Sequence, residues 1–316
     1  MGTFKPGRYA AIDIGTVTCR MLVADADSEG RLTPLAKEYA ICNLGEDVDA
    51  TGRLKPEAMD RVCAALDRYQ AVLRSLETDG APITVTTMAT SAARDAENGA
   101  AFQERLALRG LPLSIIPGTE EATLSFLGAA NDFPGQAILV ADIGGGSTEI
   151  AYGTAGQRPS ILHSFNIGCR RVTERFFRSD PPSPAEIEAA RRWIREIWGP
   201  YFDGWMAEGM AFDQLVCVAG TATTAVSVRD EMLVYNSEQV HLSPVTGDEL
   251  GAVFRKLDVP LAQRREVVGL DPGRAPVIVA GMVILQELLR AAQTWHFTAS
   301  ESDILKGIIL HTARTA

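Results

Sequence analysis

The sequence predicts an α/β protein built from two related lobes. Strand-like apolar runs alternate with amphipathic helical stretches along the chain, which is the order typical of α/β folds. A short pattern, Asp-Ile-Gly followed by a hydroxyl-rich turn, occurs twice, and its aspartates, Asp13 and Asp142, lie 129 positions apart. A chain of 316 residues is also long enough for two hydrophobic cores.

The first lobe is predicted to open with a β-hairpin. Its strands are YAAIDIG (9–15) and CRMLVAD (19–25), and the turn between them is Thr-Val-Thr. A helix is predicted over 56–76, because apolar residues recur there at helical spacing and a proline stands at the start. A strand over 82–90 follows.

The second lobe is predicted to begin in the same way. AILVADIG (137–144) and TEIAYG (148–153) repeat the layout of the first hairpin. An amphipathic helix is expected over 184–198, and a buried strand over 214–220. No Pro-rich or Ser-rich linker divides the lobes, so we expect them to share a cleft.

The composition excludes several classes of protein. The 30 Lys and Arg residues against 40 Asp and Glu residues give a net charge of −10, which disfavours nonspecific binding to nucleic acid or anionic membranes. The four histidines and five cysteines show no zinc-ligand or disulfide spacing. The longest apolar run, 275–285, is too short for a span of roughly 20 residues. We expect a cytoplasmic protein without nucleic-acid or membrane partners.

The second hairpin turn, within VADIGGGSTEIAYG (140–153), carries the strongest chemical signal. Consecutive glycines let backbone N–H groups converge on an anion, and Ser147 and Thr148 add hydroxyl donors. Asp142 and Glu149 could hold Mg²⁺ beside a phosphate. A plain Gly-rich hairpin is the alternative, but the echo of this turn in DIGTVT favours a phosphate site. Neither a P-loop nor a dinucleotide fingerprint occurs.

Two further turns have both a structural and a functional interpretation. In PGTEEATLSFLGA, Thr119 suits a helix N-cap, and Glu120 and Glu121 fall in the first turn. Acidic residues there stabilise a helix by roughly 0.3–1 kcal/mol, and spacing alone favours that explanation over a general base. In VAGTATTAVSV, Gly220 and Thr221 stand where a helix N-terminus could bind an anion, and helix capping explains them equally well.

Arginines beside such turns are candidates for bidentate phosphate contacts in this acidic chain. These arginines are Arg20, Arg94, Arg170, Arg171 and Arg274.

Taken together, these stretches resemble the exopolyphosphatase/guanosine pentaphosphatase (Ppx/GppA) family, in a short form without its C-terminal helical domain. The ordered set includes AAIDIGTVTCRMLVAD, TMATSAARDAEN, VADIGGGSTEI, PGRAPVIVAGMVIL and TASESDILKGIIL, and it covers nearly the whole chain. The resemblance implies an actin-like fold of the sugar kinase/Hsp70/actin superfamily, with duplicated ribonuclease H-like domains around a cleft. Residues 1–125 would form the first lobe, 126–300 the second, and a helix at about 301–316 would pack back on the first.

The resemblance also implies Mg²⁺-dependent hydrolysis (or use of another divalent cation) of a terminal phosphoryl group, with a glutamate as the base. It implies a first phosphate loop of Asp13, Gly15, Thr16 and Thr18, and a second of Gly144, Gly145, Gly146, Ser147 and Thr148, with Gly220 and Thr221 as a third phosphate contact. The metal ligands would be Asp142 and Glu149, and Glu149 would also bind water. The base would be Glu121, with Glu120 as the other candidate. The arginines in contact with phosphates would be Arg20, Arg94 and Arg274.

The expected substrate is inorganic polyphosphate, and alternatives remain. Guanosine pentaphosphate (pppGpp) is the first, with the Thr221 turn as a nucleoside pocket. A polyphosphate-binding protein with weak catalysis is a second, and a sugar kinase or ATPase of the same fold is disfavoured. Val17 departs from the family, which usually has Asn there. The family also suggests a homodimer.

Overall fold

The computed structural model describes residues 4–77 and 82–315, so residues 1–3, 78–81 and 316 of the expected first lobe lie outside the described part. The chain divides into two compact units, Met1–Asp132 with Ser302–Ala316, and Phe133–Glu301. We expected the division at residue 125. It follows Asp132 instead, because one uninterrupted helix crosses the expected position.

The first lobe contains a five-stranded sheet and its covering helices. Its elements are β1 (Gly7–Ile14), β2 (Thr18–Ala26), β3 (Leu32–Ile41), α1 (Val48–Thr51), α2 (Pro56–Leu76), β4 (Ile83–Ala89), α3 (Ser91–Asp95), α4 (Gly99–Ala107), β5 (Leu113–Ile115) and α5 (Gly118–Ala130), with α13 (Ile304–Thr315) from the end of the chain. The strand order is β3-β2-β1-β4-β5. The β1–β2 pair is antiparallel, and β1 pairs with β4 in parallel.

Both faces of β1, the central strand of the first sheet, are buried, because its alternate residues point into two different cores. Ile12 and Ile14 pack in a cluster that includes the apolar face of α2. Tyr9 and Ala11 pack in a second cluster with the apolar residues of α13. Strand β1 is therefore apolar at almost every position, as strands covered on both faces are.

The tail helix α13 packs very closely on α5. A Cβ atom added to Gly128 would lie 2.0 Å from the carbonyl oxygen of Asp303, and one added to Gly307 would lie 1.9 Å from that of Leu124. Both glycines thus let the two backbones approach where a side chain would not fit.

The second lobe contains a six-stranded sheet. Its elements are β6 (Ala137–Ile143), β7 (Thr148–Thr154), β8 (Ile161–Phe165), α6 (Cys169–Phe176), α7 (Pro184–Ala207), β9 (Gln214–Val218), α8 (Ala219–Arg229), α9 (Ser237–Val240), β10 (Ser243–Thr246), α10 (Gly247–Leu257), α11 (Leu261–Arg264), α12 (Ile278–Ala291) and β11 (His296–Ala299). The strand order is β10-β11-β9-β6-β7-β8. The predicted strand over 214–220 is shorter than expected, since α8 begins at Ala219.

The duplication predicted from the sequence is present in the topology. In each sheet an antiparallel hairpin, β1–β2 or β6–β7, is followed by a strand that pairs in parallel with its first member. The two hairpin turns close with the same bond. The Gly15 N–H donates to the Thr18 carbonyl at 2.8 Å, and the Gly144 N–H donates to the Ser147 carbonyl at 3.0 Å.

Helix α7 is longer than the predicted 184–198. It continues to Ala207 with Pro200 inside it. The aromatic side chains of Trp198, Phe202 and Trp205 are buried and extend its apolar face beyond the predicted end. That packing offsets the backbone hydrogen bond that a proline removes from a helix. Within the described residues, no helix is long and apolar enough to cross a membrane.

Candidate active site

In the first lobe, the turn between β1 and β2 is held by the segment that follows β3. The Gly45 N–H donates to the Thr16 carbonyl at 2.9 Å, and the Val17 carbonyl accepts from Cys42 and Asn43 at 2.9 and 2.8 Å. Val17, which stands where the family usually has Asn, is buried. Its place in the packing of the loop requires no polar side chain.

The carboxylate of Asp13, at the end of β1, is paired with Arg20. Asp13 and Arg20 are directly opposite in the β1–β2 register, and the guanidinium donates to Oδ2 at 2.6 Å. The same guanidinium contacts the carboxylate of Asp303, just before α13. Burial raises the pKa of Asp13, and the charge of Arg20 opposes that shift. Arg20, predicted to contact phosphate, is thus held between two buried carboxylates.

The predicted base candidates occupy the first turn of α5. Glu121 is buried, whereas Glu120 is partly exposed. Arg94, at the end of α3, donates to Glu121 Oε2 at 3.1 Å and to the Ile116 carbonyl at 3.1 Å. The structure therefore brings Arg94 together with one of the two glutamates and orients that carboxylate.

The expectation that Thr119 caps α5 is wrong. The helix begins at Gly118 with Pro117 as its N-cap, and no side chain caps it. Thr119 lies inside the first turn, because proline can occupy a position that needs no N–H donor.

In the second lobe, the Gly-rich turn is held from one side by α6. The carbonyl of Gly144 accepts from the Cys169 N–H at 3.0 Å, and that of Gly145 accepts from the Arg170 N–H at 2.8 Å. The Gly146 carbonyl accepts from Nε of Arg171 at 2.8 Å. Each carbonyl points opposite to the N–H of the next residue in a planar trans peptide.

It follows that the N–H groups of the next three residues in this turn point away from α6. These residues are Gly145, Gly146 and Ser147. Three successive amides directed to one side form a concave anion-binding surface, which suits a phosphate group. Gly168 permits this arrangement, since a Cβ atom there would lie 2.4 Å from the Gly145 backbone.

The two carboxylates predicted to hold metal are directly opposite each other. Asp142 pairs with Glu149 in the β6–β7 register, and both side chains are buried. Ser164 on β8 donates to Glu149 Oε1 at 2.6 Å. The equivalent pair in the first lobe is Asp13 with Arg20, so the second lobe has a glutamate where the first has an arginine.

This donor set fits Mg²⁺. Mg²⁺ prefers oxygen ligands and is usually held by one or two carboxylates together with waters and substrate phosphates. Opposed like charges on neighbouring strands are unfavourable, so a bound cation would stabilise the pair. Among residues 4–77 and 82–315, no group of three or more His, Cys, Asp or Glu side chains is placed to hold a metal.

Arg274 lies against the start of α8. A Cβ atom added to Gly220 would lie 2.0 Å from its guanidinium, so this glycine makes room for the arginine. The Thr221 hydroxyl is buried and donates to the Ile143 carbonyl at 2.9 Å. Gly220 and Arg274 are thus brought together, whereas Thr221 joins α8 to the end of β6. The Thr148 hydroxyl is likewise bonded within the lobe, to the Ile167 carbonyl.

Sequence reasoning missed three residues that shape these surfaces. Gly168 backs the Gly-rich turn, Ser164 holds Glu149, and Asp303 holds Arg20. Gly168 gave no signal in the sequence, because the helix that follows it, α6, was not predicted. Ser164 and Asp303 also have no signal in the sequence. The contact of Ser164 depends on strand pairing, and that of Asp303 depends on the return of the C-terminal segment to the first lobe.

Comparison with known proteins gives consistent matches along the chain. Residues 22–316 match the Ppx/GppA phosphatase family. Exopolyphosphatase 2 of Mycobacterium tuberculosis is 39% identical over 322 residues, covering 97% of this chain and 98% of that protein. The crystal structure of an exopolyphosphatase-like protein aligns with a TM-score of 0.88 and 32% identity, covering 98% of this chain and 99% of that one.

A second solved structure, the Aquifex aeolicus member of the Ppx/GppA family, aligns with a TM-score of 0.79 and 26% identity over 97% of both chains. These similarities and the strand order confirm the fold class expected from the sequence, an α/β fold with two related lobes.

Proposed function

The chain belongs to the Ppx/GppA phosphatase family and is a phosphoanhydride hydrolase, and we propose that it releases phosphate from the end of inorganic polyphosphate. The name of the M. tuberculosis relative supports this substrate. The observation that carries the proposal is the Gly-rich turn of the second lobe. Its three amides, on Gly145, Gly146 and Ser147, suit the oxygens of a terminal phosphoryl group.

Glu121 is the general base of the proposed reaction. The contact with Arg94 holds this buried carboxylate in a fixed orientation, from which it can accept a proton from an attacking water. The attack on phosphorus is in line with the departing phosphate chain. The leaving group is a phosphate anhydride oxygen, so it leaves without an acid catalyst.

The other charged groups divide between substrate binding and positioning. Arg274, held at Gly220, would contact the substrate phosphates. Arg20 is a positioning residue that fixes Asp13 at the first phosphate loop. Asp142 and Glu149 would hold Mg²⁺, which when bound neutralises phosphate charge in the transition state.

The test is phosphate release by the purified protein with Mg²⁺, offered long polyphosphate, tripolyphosphate and guanosine pentaphosphate in parallel. We expect release from polyphosphate at a kcat/KM higher than that for the nucleotide. The commitment of the Thr221 hydroxyl to Ile143 disfavours a nucleoside pocket at that turn. A preference for guanosine pentaphosphate would replace the proposed substrate, and binding of polyphosphate without release would replace the proposed activity.

A further inference from the structure

Ser164 ends a polar row that crosses three neighbouring strands of the second sheet. Asp142 on β6 is directly opposite Glu149 on β7, and Glu149 is directly opposite Ser164 on β8. Directly opposite residues of antiparallel strands have their side chains on one face of the sheet, with Cβ atoms about 4.5–5.5 Å apart. The hydroxyl and the two carboxylates therefore lie side by side on that face.

The Ser164 hydroxyl makes a short hydrogen bond to the middle residue of this row. It donates to Oε1 of Glu149 at 2.6 Å, a length typical of a hydroxyl that donates to a carboxylate. The last torsion of a glutamate side chain is otherwise broad, so this bond fixes the plane of the carboxylate. It thereby also sets the position that the other oxygen, Oε2, offers to a cation.

The strand that carries Ser164 is an edge strand, but it is anchored next to this hydroxyl. Phe165 is buried, and its ring packs edge-on against Tyr201 and Trp198 of α7, with centroid distances of 4.9 and 6.1 Å. The carbonyl of Ile167 accepts a hydrogen bond from the Thr148 hydroxyl at the start of β7. These contacts hold the Ser164 hydroxyl in a fixed place relative to Glu149.

The environment of Glu149 makes this donor important. The side chain is almost fully buried, so bulk water cannot readily replace the hydroxyl. Groups that hydrogen-bond to a metal-binding side chain orient it, and their replacement typically weakens metal binding about 10–100-fold.

We propose that Ser164 is a positioning residue for Mg²⁺, which holds Glu149 in the orientation that binds the ion together with Asp142. This inference rests on the proposed function, which assigns the two carboxylates to Mg²⁺. Ser164 orients a ligand of the ion, and its own hydroxyl is committed to Oε1.

The test is a calorimetric titration of Mg²⁺, without substrate, into the parent protein and three variants. Ser164→Ala removes the donor and should raise the Kd for Mg²⁺ about tenfold or more. Ser164→Thr keeps a hydroxyl in a residue that suits a strand, and it should bind Mg²⁺ as the parent does. Ser160→Ala is the matched control, because the exposed Ser160 precedes β8 and its hydroxyl donates to the Tyr152 carbonyl at 3.3 Å. It should leave the Kd unchanged.

A fourth variant, Asp142→Ala, shows whether the measured heat belongs to this carboxylate pair. The role of Ser164 is overturned if the parent binds no Mg²⁺, if binding survives Asp142→Ala, or if Ser164→Ala has the Kd of the parent. A Kd in Ser164→Thr as high as that in Ser164→Ala would show that the serine acts through packing and not as a donor. Phosphate release from polyphosphate is measured separately on the parent. Its absence would refute the proposed activity, whereas the calorimetry would still decide the role of Ser164.

Discussion

The adjacent glutamates at the start of α5 differ in environment, and only Glu121 is both buried and in contact with Arg94. We expect Glu121→Gln to lower kcat for phosphate release by about 10²–10⁴-fold, the usual contribution of a general base. Glu120→Gln removes the same charge from the same helical turn and should leave kcat close to that of the parent. Single-turnover phosphate release measures the chemical step in both variants.

Circular dichroism and thermal unfolding show whether the two variants are folded. A larger loss in Glu120→Gln would assign the base to that residue instead. Equal and small losses would mean that neither carboxylate accepts the proton.

Arg20 neutralises two buried carboxylates, those of Asp13 and Asp303. Replacing it in Arg20→Met leaves both without their cation and should lower the free energy of unfolding at pH 7.5 by about 3–5 kcal/mol. Burial already raises the pKa of Asp13, and loss of Arg20 should raise it further. A group whose pKa is higher in the folded protein than in the unfolded chain stabilises the fold at pH values below its unfolded-state pKa. That contribution is lost as the pH rises through the folded-state pKa.

The difference in free energy of unfolding between the parent and Arg20→Met should therefore shrink as the pH falls from 7.5 to 5. Urea unfolding of both proteins at the two pH values measures this difference. An equal difference at the two pH values would contradict the assignment of buried charge as its cause.

Residue patterns indicated the surfaces of the candidate site but not the pairings within them. The Gly-rich turn was predictable because glycine and hydroxyl residues next to a carboxylate have a specific chemical use. The choice of Glu121 over Glu120 required burial and Arg94, which lies 27 residues away. The contact between Arg20 and Asp303 spans 283 residues, so no local pattern could reveal it.

At the scale of elements, the crossing of α5 and α13 depends on two glycines. Gly307→Ala would place a methyl group 1.9 Å from the Leu124 carbonyl, and the backbone there cannot yield as a side chain would. Overpacking of this kind costs about 1–3 kcal/mol. We expect a fall in the midpoint of urea unfolding.

Gly204→Ala is the matched control, because Gly204 lies inside α7 with no atom within 4 Å of an added Cβ. There alanine should stabilise the helix by up to about 1 kcal/mol. Similar changes of stability in the two variants would mean that helix propensity, and not close packing, determines the effect of Gly307→Ala.

Elements were predicted well where the local pattern and the tertiary packing agree. Helix α2 has the predicted bounds, 56–76, since a proline at N1 and a regular apolar face define it locally. Helix α7 runs past its predicted end because aromatic packing, which the sequence does not show, outweighs the effect of Pro200. Glu120 and Glu121 lie in the first turn of α5, as predicted, but Thr119 is not its N-cap.

At the scale of the whole molecule, the duplication explains why one short motif predicted two lobes. The lobes share a hairpin, its closing bond and the parallel strand beside it. They differ at equivalent positions, where the first lobe has Arg20 opposite its aspartate and the second has Glu149. The first lobe thus places a cationic side chain opposite its aspartate, and the second places a carboxylate there, a ligand type suited to a bound cation.

The tail of the chain completes the core of the first lobe, not that of the second. The side chains of α13 that are almost fully buried there are Ile304, Leu305, Ile308 and Ile309. Burial of each contributes about 1.5–3 kcal/mol, and the sum is comparable with the 5–15 kcal/mol that stabilises a typical domain.

A chain ending at Glu301 should therefore retain the second lobe and lose the first. Hydrogen exchange measured on the two proteins should show amides of β1 and β2 exchanging at least about 10²-fold faster in the truncated chain, because their covering layer is gone. Amides of β6 and β7, which belong to the unit Phe133–Glu301, should remain protected. Loss of protection in both hairpins would show instead that the two lobes unfold as one cooperative unit, and that the tail stabilises the whole chain.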